Sequence, residues 1–335
     1  MLTYLNPQPM RILLLFAFLT LVSVVRAQDV SADSLDRKGR IWLAGSIDSD
    51  ARADQMRAGY YFSDRFLVGT GLSAIGNGGV YLSPFVRYYL NDAAHQWRPY
   101  GEAGLELEVG SFGIERKYGA LGLERTFNAT TLLNLELRYT HYDASSRDYR
   151  LRGNLNTLLG GTAWKSAAET HFEPGSFVLG NQLFQGGINS ATRFSFSYVN
   201  LSPSIDYFLT DRFALQGSLD LSVTAFDQSE AVANLDYRTL SLDVRGGARY
   251  YLTTESLFNV FVEGGMTYEA NFLRQETTTG TVRASSNLLR ADLGIGSSVF
   301  INQNTSVDFG VKVNQQFNGD IDTYLSGFLR LKFWF

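Results

Sequence analysis

Charged residues at alternate positions of otherwise apolar runs are the chemically informative feature of this sequence. In Leu240–Tyr251, Asp243, Arg245 and Arg249 share one parity while Leu240, Leu242, Val244 and Ala248 hold the other. Asp308 and Lys312 stand in the same way against Val307, Phe309, Val311 and Val313. Successive side chains of a strand point to opposite faces, so these runs predict strands with one apolar and one charged face. The charged faces gather Arg87, Glu102, Glu106, Glu124, Arg138, Asp243, Arg245, Arg249, Glu263, Arg290, Asp292, Asp308 and Lys312, with Glu108, Glu136, Asp220, Glu269, Arg330 and Lys332 beside them. Arg87 and Glu102 fall across one expected hairpin, and Arg249 and Glu263 across another. Enclosed together, such groups can neutralise one another as ion pairs, which is the commoner arrangement in small barrels; lining a pore, they select among solutes.

Other chemistry finds little support. His95, His141 and His171 are far apart on the expected strand map and give no nucleophile–base pair. Asp48, Asp50 and Asp54 resemble a calcium loop only superficially, because Ala53 occupies the sixth position and Gly59 the twelfth. Gly69, Gly71, Gly76, Gly78 and Gly79 lack the strand-to-helix context of a phosphate or dinucleotide loop. No catalytic, cofactor or metal site is expected.

The elements that must position the charges are strands. The chain has 32 Gly, 18 Tyr and 24 Phe against 6 Pro and no Cys, with mean hydropathy −0.09. A barrel that alternates lipid-facing and lumen-facing residues averages to such neutrality. About sixteen strands are expected, near 40–48, 55–62, 66–75, 79–90, 98–109, 117–127, 131–142 and 151–164, then 176–185, 194–209, 213–225, 237–252, 257–270, 287–301, 305–317 and 324–335. Tight connections at 63–65, 128–130, 210–212 and 302–304 alternate with longer ones, among them 46–54, 143–150, 227–234 and 274–286. Aromatic residues beside the short turns (Tyr60-Tyr61-Phe62, Tyr88-Tyr89, Phe127, Tyr207-Phe208, Tyr250-Tyr251 and Phe300) predict a belt at one membrane interface.

Segments recur in order. Tyr61-Phe62-Ser63-Asp64-Arg65-Phe66 returns as Tyr207-Phe208-Leu209-Thr210-Asp211-Arg212-Phe213 with one extra residue. Phe85–Leu90 returns as Gly247–Leu252, Tyr100–Gly104 as Phe261–Gly265, and Leu121-Gly122-Leu123 as Leu293-Gly294-Ile295. An internal duplication is inferred, with residues 40–165 and 176–335 as two eight-strand repeats around a linker at 166–175.

Both ends bear on location. Tyr324–Phe335 alternates strictly, with Leu325, Gly327, Leu329, Leu331, Phe333 and Phe335 on one face and Trp334 on the other. Its apolar edge suits a closed barrel better than a soluble sheet. At the other end, Met10-Arg11, the apolar run Ile12–Val25 and Val25-Arg26-Ala27 form a signal-peptide pattern expected to be cut after Ala27, leaving 28–39 as a periplasmic lead-in. Loss of Arg11 and Arg26 from the 29 basic residues, against 33 acidic ones, gives a net charge of −6, which provides no reason to expect nucleic acid.

The Tyr-Phe-x-Asp-Arg-Phe turn and the Arg-Tyr-Tyr-Leu strand end, followed by a Glu-bearing strand, resemble small Gram-negative outer-membrane barrels of the OmpA transmembrane type. The closing strand resembles their assembly signal, carried here by Leu329, Leu331, Phe333, Trp334 and Phe335. The resemblance implies outer-membrane lipid and the barrel assembly machinery as partners, and it implies no enzymatic activity. The chain departs from it in being doubled and in lacking a peptidoglycan-binding domain after the barrel. One sixteen-stranded barrel implies a passive porin-like channel for small hydrophilic solutes. Two tandem eight-stranded barrels imply a non-conducting structural or surface-binding protein. The counterpart of the closing strand, around Leu151–Trp164, lacks the terminal aromatics, which favours one seam and one barrel. The oligomeric state is open.

Overall fold

The computed structural model describes residues 37–45, 47–48, 55–75, 79–109, 114–143, 146–159, 172–180, 182–191, 194–230, 233–254, 257–277, 280–302, 304–317 and 323–335. The signal peptide, most of the lead-in, His171, most of the linker, and Asp50 and Asp54 lie outside these residues. The strands in chain order are β1 (Ile41–Ala44), β2 (Ile47–Asp48), β3 (Gln55–Ser63), β4 (Phe66–Ile75), β5 (Gly79–Leu82), β6 (Phe85–Tyr89), β7 (Trp97–Glu108), β8 (Ile114–Thr126), β9 (Thr131–Asp143) and β10 (Ser146–Leu159). They continue with β11 (Phe177–Gly180), β12 (Gln182–Ala191), β13 (Phe194–Leu201), β14 (Ser204–Phe208), β15 (Phe213–Glu230), β16 (Ala233–Tyr251), β17 (Phe258–Thr277), β18 (Gly280–Asn302), β19 (Thr305–Gln316) and β20 (Thr323–Trp334). Every pairing is antiparallel, and all twenty strands belong to one sheet.

Several strands are pairs of pieces. Proline removes a ladder donor, and the breaks between β5 and β6 and between β13 and β14 fall at Pro84 and Pro203. Counted as continuous paths, each half of the chain supplies eight strands.

The expectation of one simple sixteen-stranded ring is corrected at the short-turn end, where each half closes on itself. β1 pairs with β10 from Ile41↔Leu159 to Ala44↔Asn156. β11 pairs with β20 from Val178↔Trp334 to Gly180↔Lys332. Further up, partners change. β10 leaves β1 and pairs with β12 from Asn154↔Gln182 to Ser146↔Ala191. β20 meets β2 at Ile47↔Leu329 and Asp48↔Phe328. Two eight-stranded rings below therefore run into one another above, through four strands that exchange neighbours. The exchange falls at irregular backbone: Gly45 takes a positive φ of 87° between β1 and β2, and a register shift sits at Gly153/Asn154 in β10. Glycine adopts positive φ without the steric cost of a Cβ.

The expected long outer connections are largely drawn into hairpins. Asp143 pairs with Ser146, Glu230 with Ala233 and Thr277 with Gly280. A membrane-crossing strand needs roughly 9–11 residues, whereas β18 has 23. Its first eight residues, Gly280–Asn287, are exposed on both faces, and the buried alternation begins only lower down. The surplus hydrogen bonds of paired strands offset the chain entropy that free loops would keep.

The same hydrogen bonds recur at both ring bases and set a register that differs from the sequence match. Tyr61 N–H donates to the Arg40 carbonyl (3.0 Å), and Phe208 N–H to that of Ser176 (2.9 Å). Phe208 thus occupies the place of Tyr61, and the turn that follows needs no extra residue. Thr126 N–H donates to the Gln96 carbonyl and Phe300 N–H to that of Leu257, which sets Gly122 opposite Gly296 rather than Gly294. The Tyr100 and Phe261 rings lie over these two glycines, in space a Cβ would occupy. Gly122→Ala is expected to destabilise the barrel by about 1–3 kcal/mol through overpacking, read as a lower midpoint of the heat-modifiable gel shift.

The aromatic belt is corrected by half. Tyr60, Phe62, Tyr88, Tyr207 and Tyr250 are exposed on the outer surface, but Tyr61, Tyr89, Phe208, Tyr251 and Phe300 are buried. Alternation sends every second ring of each aromatic run inward. A further cluster lies between the rings, where Leu133, Leu155, Leu183, Leu331 and Phe333 bury their outward faces against one another. Thr157 joins Asn302 (2.8 Å) and Thr305 (2.9 Å) across the same junction. Trp334 N–H donates to the Asn304 carbonyl as Leu158 N–H does to that of Thr130, so Leu158 is the counterpart of Trp334. Both seams exist, and the single-seam argument fails.

Candidate functional site: two buried ionic clusters

In the first ring, strand pairing sets Arg87 beside Glu102 across β6 and β7, and Arg138 beside Ala120 across β9 and β8. Their guanidinium groups converge on three glutamates. Arg87 reaches Glu102 at 2.8 Å, Glu136 at 3.5 Å and Glu124 at 3.7 Å. Arg138 reaches Glu136 at 2.9 Å and Glu102 at 3.5 Å. The Arg87 guanidinium lies 3.8 Å from the centre of the Tyr100 ring, and Tyr100 Oη donates to Asn134 Oδ1 at 2.8 Å.

Three members of this cluster escaped sequence reading. Arg57 on β3 bonds Glu102 at 2.5 Å. Arg98 lies 3.9 Å from the centre of the Tyr89 ring. Arg37, ahead of β1, enters the ring base and bonds Glu124, Tyr61 Oη (3.1 Å) and Thr126 Oγ1 (2.7 Å). The parity of Arg57 against Met56 and Ala58 was a usable signal. Arg37 offered none, because it is placed by a turn at Gly39, with φ of 81°.

The second ring repeats the scheme with different chemistry. Arg249 meets Glu263 at 2.7 Å, bonds Asp308, and lies 3.7 Å from Asp206. Its guanidinium stands 3.8 Å from the centre of the Phe261 ring, where Arg87 uses Tyr100. Lys332 approaches Asp206 at 3.2 Å, and Arg330 approaches Glu263 at 4.0 Å. Arg245 holds Asp292 through two hydrogen bonds of 3.0 and 2.7 Å. Asp206 was missed because the sequence reading did not resolve the faces of its strand. Below the charges, Phe172 fills the ring base among Phe208, Tyr251, Phe300 and Trp334, at centroid distances of 5.6, 4.8, 5.9 and 5.1 Å.

The remaining candidates are distributed along the wall. Glu106 pairs with Arg116 (3.0 Å), outside the central cluster. Higher in the second half, Arg290 pairs with Glu269 (3.2 Å), and Asp243 is half-buried on the same wall. Lys312 Nζ lies 5.7 Å from the Phe328 ring centre. His95 bonds Asp92 (2.8 Å) in an exposed turn, while His141 belongs to β9, so these histidines are not brought together. Of the closing strand, Leu331, Phe333 and Trp334 are buried, whereas Phe335 is exposed and stacks on Phe177 at 5.3 Å.

Charge is thus inside and grease outside. Arg87, Arg98, Glu102, Glu124, Arg138, Arg249 and Asp308 are all buried, while Leu121, Leu137, Leu293, Leu325, Ile295 and Val311 stand exposed on the outer wall. Water would not support that outer surface, and hydrocarbon would. The fold is that of a transmembrane β-barrel. No family model and no curated protein matches the chain. Among solved structures, the barrel is similar to a bacterial polysaccharide outer membrane secretin (10% identity, TM-score 0.48, covering 88% of this chain and 97% of that one). It is also similar to the N-terminal β-barrel domain of Pseudomonas aeruginosa OprF (17%, TM-score 0.24, 49% and 98%) and to the transport unit of the autotransporter AIDA-I from Escherichia coli (11%, TM-score 0.25, 95% and 97%). These scores fall below 0.5, so the fold assignment rests on the strand pairing and the inverted surface of the barrel itself.

Proposed function

We propose that this chain is an integral outer-membrane protein that does not conduct in its resting state and acts as a structural or surface-exposing barrel. The supporting observation is that both ring bases are packed: Arg87, Glu102 and Glu124 in the first, and Arg249, Glu263, Trp334 and Phe208 in the second, are each at most 5% exposed. An eight-stranded barrel is just wide enough for side chains to fill, and these two are filled by ion pairs and rings. Hairpins such as β17–β18 extend well past the length a membrane crossing requires, which makes them the natural surface-contacting parts. The signal-peptide pattern and closing strand support export and barrel assembly, and the recurrent ring-base hydrogen bonds support descent from a duplicated eight-strand unit.

A second reading, a gated porin-like channel, draws on the strand exchange, because the β10–β12 and β2–β20 pairings join the two halves in one sheet above the rings. Planar-bilayer recording of the refolded full-length protein separates the two. The closed reading expects no steps of porin size at moderate voltage, with heat-modifiable mobility retained. Frequent large steps in the folded wild-type protein would replace it with the channel reading.

A further inference from the structure

The two rings are not electrically equivalent, and the difference is local. At its core the first ring gathers six arginines (Arg37, Arg57, Arg87, Arg98, Arg138 and Arg152) around three glutamates (Glu102, Glu124 and Glu136). In the second, five cations (Arg245, Arg249, Lys312, Arg330 and Lys332) share the core with four carboxylates (Asp206, Glu263, Asp292 and Asp308). Among these groups the first ring has three more cations than carboxylates and the second has one more; Glu106 and Asp148, also buried in the first ring, are paired with Arg116 and Arg150. Buried charge without a counter-ion is costly.

The excess coincides with a cavity of about 30 Å³ lined by Arg57, Arg152, Asn134, Asn154, Asn156 and Glu136, beside the strand exchange at Ala44 and Gly45. Arg57 Nε, Arg152 Nε and both side-chain polar atoms of Asn156 are buried there without hydrogen-bond partners. Asn156 is fully buried. Glu136 also lines the space, but its carboxylate is engaged by Arg138, Arg87 and Tyr100. Positions matched through the ring-base hydrogen bonds show how the second ring settles the same region. Phe328 stands where Arg152 does, Lys332 where Asn156 does, and Asp206 where Gly59 does. There the ring of Phe328 fills space and Asp206 bonds Lys332, so the second ring needs no added ion at this level.

We propose that the cavity of the first ring binds one small monovalent anion of about chloride size, held by Arg152, Arg57 and the Asn156 amide. The volume exceeds the ~10–15 Å³ that a single small occupant requires, and the unused groups are mostly donors. Binding to the folded state alone stabilises that state in a saturable way. The experiment measures the temperature at which full-length refolded protein in detergent micelles loses its heat-modifiable mobility, in sodium chloride against sodium gluconate at equal ionic strength. A saturable upward shift with chloride is expected in the wild type, retained in Arg330→Gln and lost in Arg152→Gln. Equal midpoints in both salts, or a chloride shift that survives Arg152→Gln, overturns the proposal. Should Arg152→Gln fail to fold, wild-type crystals grown in sodium bromide give the second measurement. An anomalous peak at hydrogen-bond distance from Arg152 Nε supports the site, and water alone at that place overturns it.

Discussion

Arg249→Ala is expected to destabilise the folded barrel by about 3–5 kcal/mol, the range for removing one partner of a buried ion pair. Arg249 is 1% exposed and bonds Glu263 and Asp308, with Asp206 at 3.7 Å. Without it, three carboxylates share an enclosed space approached by Lys332, at 3.2 Å from Asp206, and by Arg330, at 4.0 Å from Glu263. The cost comes from stranded charge more than from a lost attraction, so the double variant Arg249→Met with Glu263→Gln is expected to recover part of it. Arg116, 23% exposed and paired with Glu106, provides the contrast, because a solvated pair contributes only about 0–1 kcal/mol. Urea midpoints of refolded protein, followed by the heat-modifiable shift, measure all three. A loss below about 1 kcal/mol in Arg249→Ala would mean that the second ring base is wetter than its packing implies.

Trp334→Ala is expected to be comparably damaging, at about 3–5 kcal/mol, as for truncating a large buried aromatic residue. Its ring contacts Phe172, Phe208 and Phe300 at centroid distances of 5.1, 5.3 and 5.0 Å, and its Nε1 donates to Ser306 Oγ at 2.9 Å. Removal opens a cavity under the charged cluster and takes one donor from Ser306 Oγ, which keeps its bonds to Ser298 and Asp308. Phe335→Ala should behave differently. Phe335 is 41% exposed and meets the barrel through its stack on Phe177, so refolding in detergent should change little. If the final phenylalanine serves recognition during assembly, its loss should instead lower the amount of barrel inserted in cells. The two variants thus separate stability from assembly, and a Trp334→Ala protein as stable as wild type would remove the aromatic plug from the account.

Much of the site was legible because strand parity is a local property. Arg87, Glu102, Arg249 and Glu263 declare their face through apolar neighbours on either side, and the hairpin fixes which residue stands opposite. Half of each aromatic run was misread for the same reason: Tyr60 and Tyr61 look alike in composition but differ in parity. Arg37 and Phe172 were not legible, because each reaches its ring from outside the ladder and only a turn at Gly39 or Gly175 directs it.

By itself the sequence determined an all-β chain whose strands alternate apolar and charged faces, and from that an outer wall suited to lipid around a charged interior. Only the tertiary structure decided how the barrel closes. Closure depends on which backbone edge meets which, and the edge of β10 offers nearly the same donors and acceptors to β1 as to β12. Side-chain pattern states the face of a strand but not its neighbour. The neighbour is set by packing that brings distant residues together: Leu133 and Leu155 against Leu331 and Phe333 between the rings, and Thr157 against Asn302 and Thr305. Those contacts draw the ring bases shut side by side, while the irregular backbone at Gly45 and Gly153 lets the same strands part and join the other half above.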